Sequence, residues 1–120
     1  MNELKSAYKK IKPSIRVTFK GDDKFFGKGV AELLLYIDKY GTIQKACKEM
    51  GMSYSKAWKI ISRLEDEVGV KMLETKAGGK KGGESTLTDE AKDLLKRYKK
   101  MNSELEDYLK KAYKKYFIDA

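Results

Sequence analysis

The sequence predicts a mainly α fold with two small β-hairpins. Three observations carry that expectation. Apolar residues recur at helical spacing in successive segments after Gly29, most of them opened by a capping residue or closed by a glycine. The period drops to two beside glycine-bearing turns, first in Ser14–Phe26 and again in Lys71–Leu87. Towards the C-terminus the apolar positions settle into alternating steps of four and three, the pattern of one long helix.

Taken in order, Met1–Lys12 carries Leu4, Tyr8 and Ile11 at helical spacing and stops at Pro13, which fits a short helix or a frayed arm. Ser14–Lys20 alternates Ile15, Val17 and Phe19 with Arg16, Thr18 and Lys20, as a half-buried strand does. Gly21-Asp22-Asp23 turns the chain and Lys24-Phe25-Phe26 returns, completing an N-terminal hairpin over 14–26. Gly27-Lys28-Gly29 matches neither the P-loop nor the dinucleotide spacing, so it punctuates the step from strand to helix. The next helix puts Val30, Leu33, Leu34 and Ile37 on one face and ends at Gly41.

Thr42 is the expected N-cap of another helix, with Ile43, Ala46, Cys47 and Met50 inward. Gly51-Met52 makes a tight turn, and Ser53 caps a third helix that runs from Tyr54 to a stop at Gly69. Steps of 100° along it place Ala57, Ile61, Leu64 and Val68 on the core side. Lys71–Lys76 reads as a strand, Ala77–Glu84 as a glycine-rich loop and Ser85–Leu87 as the returning strand. Thr88 caps the last helix, with Asp89 and Glu90 favourably placed in its first turn.

That helix is expected over 88–117. Leu87, Ala91, Leu94, Tyr98, Met101, Leu105, Tyr108 and Ala112 form a heptad seam along it. At 1.5 Å per residue it would be about 45 Å long, more than a domain of this size covers. The free seam, Leu94, Tyr98, Met101, Leu105, Tyr108 and Ala112, therefore predicts dimerisation with a second copy of the chain.

Length and composition bound the function. The 120 residues suit a single domain (1–120), with a three-helix core at 29–68 and a hairpin at 71–87, and contain one proline and no linker. A chain this long buries roughly two-thirds of its unfolded surface. No apolar run approaches the ~20 residues that span a bilayer, and no signal-peptide core is present, so no membrane partner and a cytoplasmic location are expected. The lone Cys47 lies on an apolar stripe and reads as a small core residue rather than a reactive thiol. The chain has no histidine, which removes His-based catalytic triads and Cys/His zinc sites; no cofactor, no metal and no enzymatic activity are expected. The net charge of +9 calls for a polyanion or merely keeps the chain soluble, since many lysines lie on the amphipathic C-terminal helix.

Two short helices around a glycine turn, followed by a hairpin with a basic glycine-rich tip, describe a winged helix-turn-helix with its helix-turn-helix at 42–68 and its wing at 71–87. Its expected partner is double-stranded DNA. On the third helix Ser55, Lys59 and Ser62 point away from the core, flanked by Lys56 and Arg63, with Ser53 and Tyr54 at its start. From Ser53 to Arg63 there are three cations and no acid; the acids begin at Glu65-Asp66-Glu67, where a helix leaves the groove. Trp58 lies between the faces and reads as structural, packed under the hairpin or the first helix. Thr42, Gln44 and Lys45 suit backbone phosphates, and Lys76, Lys80 and Lys81 in the wing suit phosphates or the minor groove.

Gly41–Trp58, Gly-Thr-Ile-Gln-Lys-Ala-Cys-Lys-Glu-Met-Gly-Met-Ser-Tyr-Ser-Lys-Ala-Trp, resembles the DNA-binding domain of ModE-type molybdate-responsive regulators, whose pattern is G-S-[IL]-x-x-A-A-K-x-x-G-M-S-Y-x-x-A-W. Gly78-Gly79-Lys80-Lys81-Gly82-Gly83 with Leu87-Thr88 is similar to that family's wing. Ile61, Leu64-Glu65, Val68-Gly69-Val70 and Leu73 resemble the related LysR-type head. The resemblance covers about Phe26 to Tyr98 and implies a dimeric bacterial DNA-binding regulator, its third helix in the major groove and its wing on the backbone. Thr42 and Cys47, where that family often has Ser and Ala, are mild departures. Full-length ModE proteins carry C-terminal molybdate-binding domains, whereas this sequence ends at Ala120 after one helix, so molybdate sensing is not expected to transfer and any effector stays open.

Sequence-specific DNA binding as a dimeric transcriptional regulator is the reading these features favour. Two others share the residues: a non-specific nucleoid-type binder, motivated by the lysine-rich last helix, and a protein-interaction module that docks through that helix and has lost DNA binding.

Overall fold

The computed structural model describes residues 2–76 and 83–120. Among these the order is α1 (Asn2–Lys10), β1 (Phe19–Lys20), β2 (Lys24–Phe26), α2 (Lys28–Tyr40), α3 (Ile43–Met50), α4 (Tyr54–Val68), β3 (Leu73–Lys76), β4 (Glu84–Leu87) and α5 (Asp89–Tyr113), followed by a π-helical turn at Lys114–Ile118. This is a mainly α fold with two small antiparallel hairpins, β1–β2 and β3–β4, and a long C-terminal helix. It divides into two compact units, Val17–Lys96 and Met1–Arg16 with Arg97–Ala120.

The first unit is built around α2, α3 and α4. Leu33, Leu34 and Ile37 of α2, Ala46 of α3, and Ala57, Ile61 and Leu64 of α4 are all fully buried. Each large aliphatic side chain so removed from water contributes about 1.5–3 kcal/mol. Met72, Leu73, Leu87 and Ala91 continue this core beneath the second hairpin. Val68 departs from expectation: it is the last residue of α4, next to the Gly69 cap, and is 37% exposed rather than core.

Both hairpins are shorter than the alternation suggests. In the first, Ser14–Thr18 does not pair; the register is Phe19↔Phe26 and Lys20↔Lys24 with an irregularity between them. The return strand is only three residues long, so the ladder ends at Phe19↔Phe26. In the second, β3 begins at Leu73 rather than Lys71 because the backbone of Met72 is already engaged. Its N–H donates to Glu65 Oε2 at 2.8 Å, and its carbonyl accepts from Thr88 N at 3.0 Å. The hairpin then runs in regular register from Leu73↔Leu87 to Lys76↔Glu84.

In the second unit α1 packs against the π-helical turn through aromatic rings. Tyr113 Oη donates to the carbonyl of Tyr8 at 2.6 Å, and Phe117 meets Tyr8 edge-on at 5.1 Å and stacks on Tyr113 at 5.0 Å. Of the segment left open between helix and arm by its sequence, Asn2–Lys10 is thus a helix with a docked end. Of the α5 seam, Tyr98 is buried, Leu94, Met101, Leu105 and Ala112 are half-buried, and Tyr108 is 72% exposed.

The burial of α4 gives a direct test of its orientation. Leu64→Ala is expected to lower the unfolding free energy by about 2–5 kcal/mol, whereas Arg63→Ala beside it changes it by less than about 0.5 kcal/mol. Urea denaturation followed by circular dichroism reads both; comparable losses would mean that α4 is turned the other way.

Candidate nucleic-acid interface

The turn between α3 and α4 is closed by short-range bonds that its sequence dictates. Gly51 sits at φ 66°, in the left-handed region a side chain disfavours, and ends α3. Met52 N donates to Cys47 O at 2.9 Å. Ser53 Oγ accepts from Lys56 N at 3.1 Å and so caps α4; Thr42 Oγ1 accepts from Lys45 N at 3.1 Å and caps α3. Both hydroxyls expected at phosphates thus already hold a helix start. The thiol of Cys47 is buried, points its weak donor at Ser53 O (3.8 Å) and is pushed up from its ordinary pKa by desolvation, which keeps it an inert core group.

Since Ala57, Ile61 and Leu64 face inward, the opposite side of α4 faces solvent: Ser53, Tyr54, Ser55, Lys56, Lys59, Ser62 and Arg63 are all exposed. From Ser53 to Arg63 this surface is about 15 Å long at 1.5 Å per residue, on a helix whose diameter of about 10–12 Å fits a major groove about 12 Å wide. Gln44 and Lys45 of α3 are exposed as well.

The wing is tied to this core at three places. Ser85 N donates to Gly41 O at 2.8 Å, joining β4 to the α2–α3 corner. Thr88 Oγ1 donates to Lys71 O at 2.8 Å and accepts from Ala91 N at 3.1 Å, so one side chain caps α5 and anchors the root of the wing. Glu65 holds Met72 N with its carboxylate, a charge-assisted bond, while its 3.8 Å pair with the exposed Lys71 adds little. Its sequence neighbours group Glu65 with the solvated acids; its 14% exposed side chain is instead a strut under the wing. Nothing in the spacing of Glu65, Ser85 and Thr88 advertises these ties, which arise between segments distant in the chain.

Between the first turns of α3 and α4 and the wing lies a cleft of about 370 Å³, lined by Thr42, Gln44, Tyr54, Trp58, Thr75 and Lys76 among others. Trp58 therefore sits beside the wing, half-buried, meeting Tyr54 edge-on at 6.2 Å. The i, i+4 spacing of the two rings is the sequence signal that puts them on one face. The cleft thus brings together Thr42, Gln44, Tyr54 and Lys76 from three elements. Lys80 and Lys81 lie outside the described residues. Among the described residues no cluster of His, Cys, Asp or Glu is placed to hold a metal ion, and no helix is long and apolar enough to cross a membrane.

Three helices with a tight turn before the third, an exposed cationic face on that helix and a β-hairpin tied beside it define a winged helix-turn-helix protein. The family model described as bacterial regulatory helix-turn-helix protein, lysR family, matches residues 31–92, and the chain belongs to that family. The chain is similar to the molybdenum transport protein ModE of Herbaspirillum seropedicae, 32% identical over 85 residues, which are 71% of this chain and 30% of that protein. It is also similar to the transcriptional regulator ModE of Haemophilus influenzae, 36% identical over 66 residues, 55% of this chain and 26% of that one. The molybdenum-pterin-binding protein MopA of Rhodobacter capsulatus is 33% identical over 63 residues, 52% and 24% of the two chains. The matched stretch thus spans less than a third of each of these relatives.

Thr88→Ala removes both the α5 cap and the tie to Lys71. It is expected to cost about 1–2 kcal/mol and to speed amide hydrogen exchange in Leu73–Lys76 and Glu84–Leu87 more than in α2. Unchanged exchange in the wing would show that Thr88 does not hold it.

Proposed function

We propose that the chain binds double-stranded DNA as a homodimer and reads sequence with the exposed face of α4. The observation that carries this is the division of α4: Ala57, Ile61 and Leu64 are sealed in the core, and the face opposite them is cationic and free of acids from Ser53 to Arg63. Ser55, Lys56, Lys59 and Arg63 reach towards base edges and flanking phosphates, with Ser53 and Tyr54 at the groove entry. Thr42, Gln44 and Lys45 approach one backbone, while Lys76, Lys80 and Lys81 in the wing follow the other. Both kinds of contact are needed, because phosphate contacts position the protein and base contacts specify the site.

Dimerisation through Leu94, Met101, Leu105, Tyr108 and Ala112 of the seam, whose Tyr98 is already buried within the chain, is supported by the heptad spacing and by the exposure of Tyr108. Two copies would address two half-sites about 34–36 Å apart. The names of the relatives tie those proteins to molybdenum; the reading for this chain stops at DNA.

Selection of bound sites from random duplexes, with molar mass from light scattering, tests both parts. A defined motif bound at least about 10³-fold more tightly than random DNA is expected, together with a dimer mass; a ratio near one sinks specific reading, and a monomer mass sinks the dimer. Within the selected site Lys59→Ala is expected to relax preference at one position by about 1–3 kcal/mol. The double change Lys80→Ala with Lys81→Ala should weaken all sequences alike and flatten the salt slope by about 2. No change in selected motif for Lys59→Ala would displace that residue from the reading face.

A further inference from the structure

The positive charge of the chain is concentrated outside the unit that holds the reading helix. Val17–Lys96 holds fifteen Lys/Arg against thirteen Asp/Glu, whereas Met1–Arg16 with Arg97–Ala120 holds twelve against five. Within that second unit the cations gather where α1 meets the π-helical turn. Lys9, Lys10 and Lys12 follow Tyr8; Lys110, Lys111, Lys114 and Lys115 flank Tyr113. The bond from Tyr113 Oη to Tyr8 O (2.6 Å) and the Tyr8–Phe117 contact (5.1 Å) hold the two groups together. All seven lysines are exposed, and none has a carboxylate within 4.0 Å among the described residues. Tyr116 is exposed beside them, with Lys115 Nζ over its ring at 5.2 Å.

A solvated helix face ordinarily mixes signs at i, i+4. Glu106 and Asp107 stand four residues before Lys110 and Lys111, and Asp119 four after Lys115, but Lys110/Lys114 and Lys111/Lys115 are like-charge pairs at that spacing, each unfavourable. Proximity to helix C-termini favours Lys9, Lys10, Lys110 and Lys111. It does not account for Lys12 and Lys114, nor for the absence of any acid from Tyr108 to Ile118. A cluster of unpaired cations is relieved by a polyanion, and the polyanion this regulator meets is duplex DNA, with one charge per ~1.7 Å of axis.

We propose that the junction of α1 with Lys110–Lys115 is a second DNA-contacting surface, which grips the phosphate backbone without regard to sequence. It rests on the DNA-binding reading of the chain and adds to the head a contribution that reads no bases.

The test uses the full chain and a 40-bp mixed-sequence duplex, with affinity measured by fluorescence anisotropy from 50 to 200 mM NaCl. Neutralising four lysines (K110Q/K111Q/K114Q/K115Q) is expected to lower the log–log salt slope by about 2–4, at about 0.9 for each phosphate no longer neutralised, and to weaken binding at least about tenfold at 100 mM. The four Lys→Arg changes should keep both values, and K9Q/K10Q/K12Q should lower the slope from the other side of the junction. A slope within about 0.5 of wild type for both neutralised variants overturns the proposal, as does equal loss in the Lys→Arg variant or a change in molar mass that tracks the slope. K56Q/K59Q/R63Q reports on the head separately: if it loses binding while the junction variants do not, only the second surface fails. A wild-type chain that binds no duplex at 50 mM salt sinks both readings. Phosphatidylserine vesicles that bind wild type but not K110Q/K111Q/K114Q/K115Q, with duplex affinity unchanged, reassign the surface to a membrane and overturn it too.

Discussion

The complete burial of Ala57, Ile61 and Leu64 is the constraint on which the functional surface depends. A helix has only one circumference, and its residues step by 100°, so sealing three positions on one side decides what the other side shows. Packing against α2 and α3 is the larger energetic term, and the exposed cationic face is its geometric consequence. Ser55, Lys59 and Ser62 are exposed and carry little of the folding energy, which is what the proposed reading role requires. The caps reinforce the same division, since Thr42 and Ser53 commit their side-chain oxygens to helix starts.

A reading helix is useful only if its approach to the groove is fixed, and here the wing is fixed by polar ties rather than by a second core. Ser85 to Gly41, Thr88 to Lys71 and Glu65 to Met72 pin the hairpin at both ends. Such bonds are individually modest, about 0.5–1.5 kcal/mol, or about 1.5–3 when one partner is charged. Set around the buried Met72, Leu73 and Leu87, they are shielded from water and act on one short segment. The cleft between α3, α4 and the wing keeps its shape for the same reason, with the Tyr54–Trp58 pair on one wall.

Much of this is legible in the residues because the local signals agree. Thr42, Gly51, Ser53 and Gly69 mark helix ends by their own backbone chemistry, and the apolar periods name the buried faces of α2, α3 and α4. The parts that mislead are those settled by distant segments. Alternation across Ser14–Lys20 carries no information on the length of its partner, so the hairpin reads as longer than the three-residue β2 permits. Lys71-Met72 reads as strand, yet Glu65 and Thr88 claim its backbone groups. Val68 obeys the period of α4 but lacks cover at the helix end. Glu65 illustrates the limit most clearly, because a carboxylate beside Asp66 and Glu67 carries no mark of a backbone partner at Met72.

The same logic separates where charge sits from what it is for. A head with nearly balanced charge gains little non-specific affinity from Coulomb attraction, so under the proposed function discrimination would rest on hydrogen bonds and fit at α4. Long-range attraction to DNA scales with the number of cations brought to phosphate and fades with salt. Housing most of that excess on α1 and the end of α5 lets the two demands be met by different residues. Mutations that tune affinity at the lysine cluster then need not disturb the Ser53–Arg63 surface, and changes in base preference at α4 need not alter how tightly the chain is held to DNA at large.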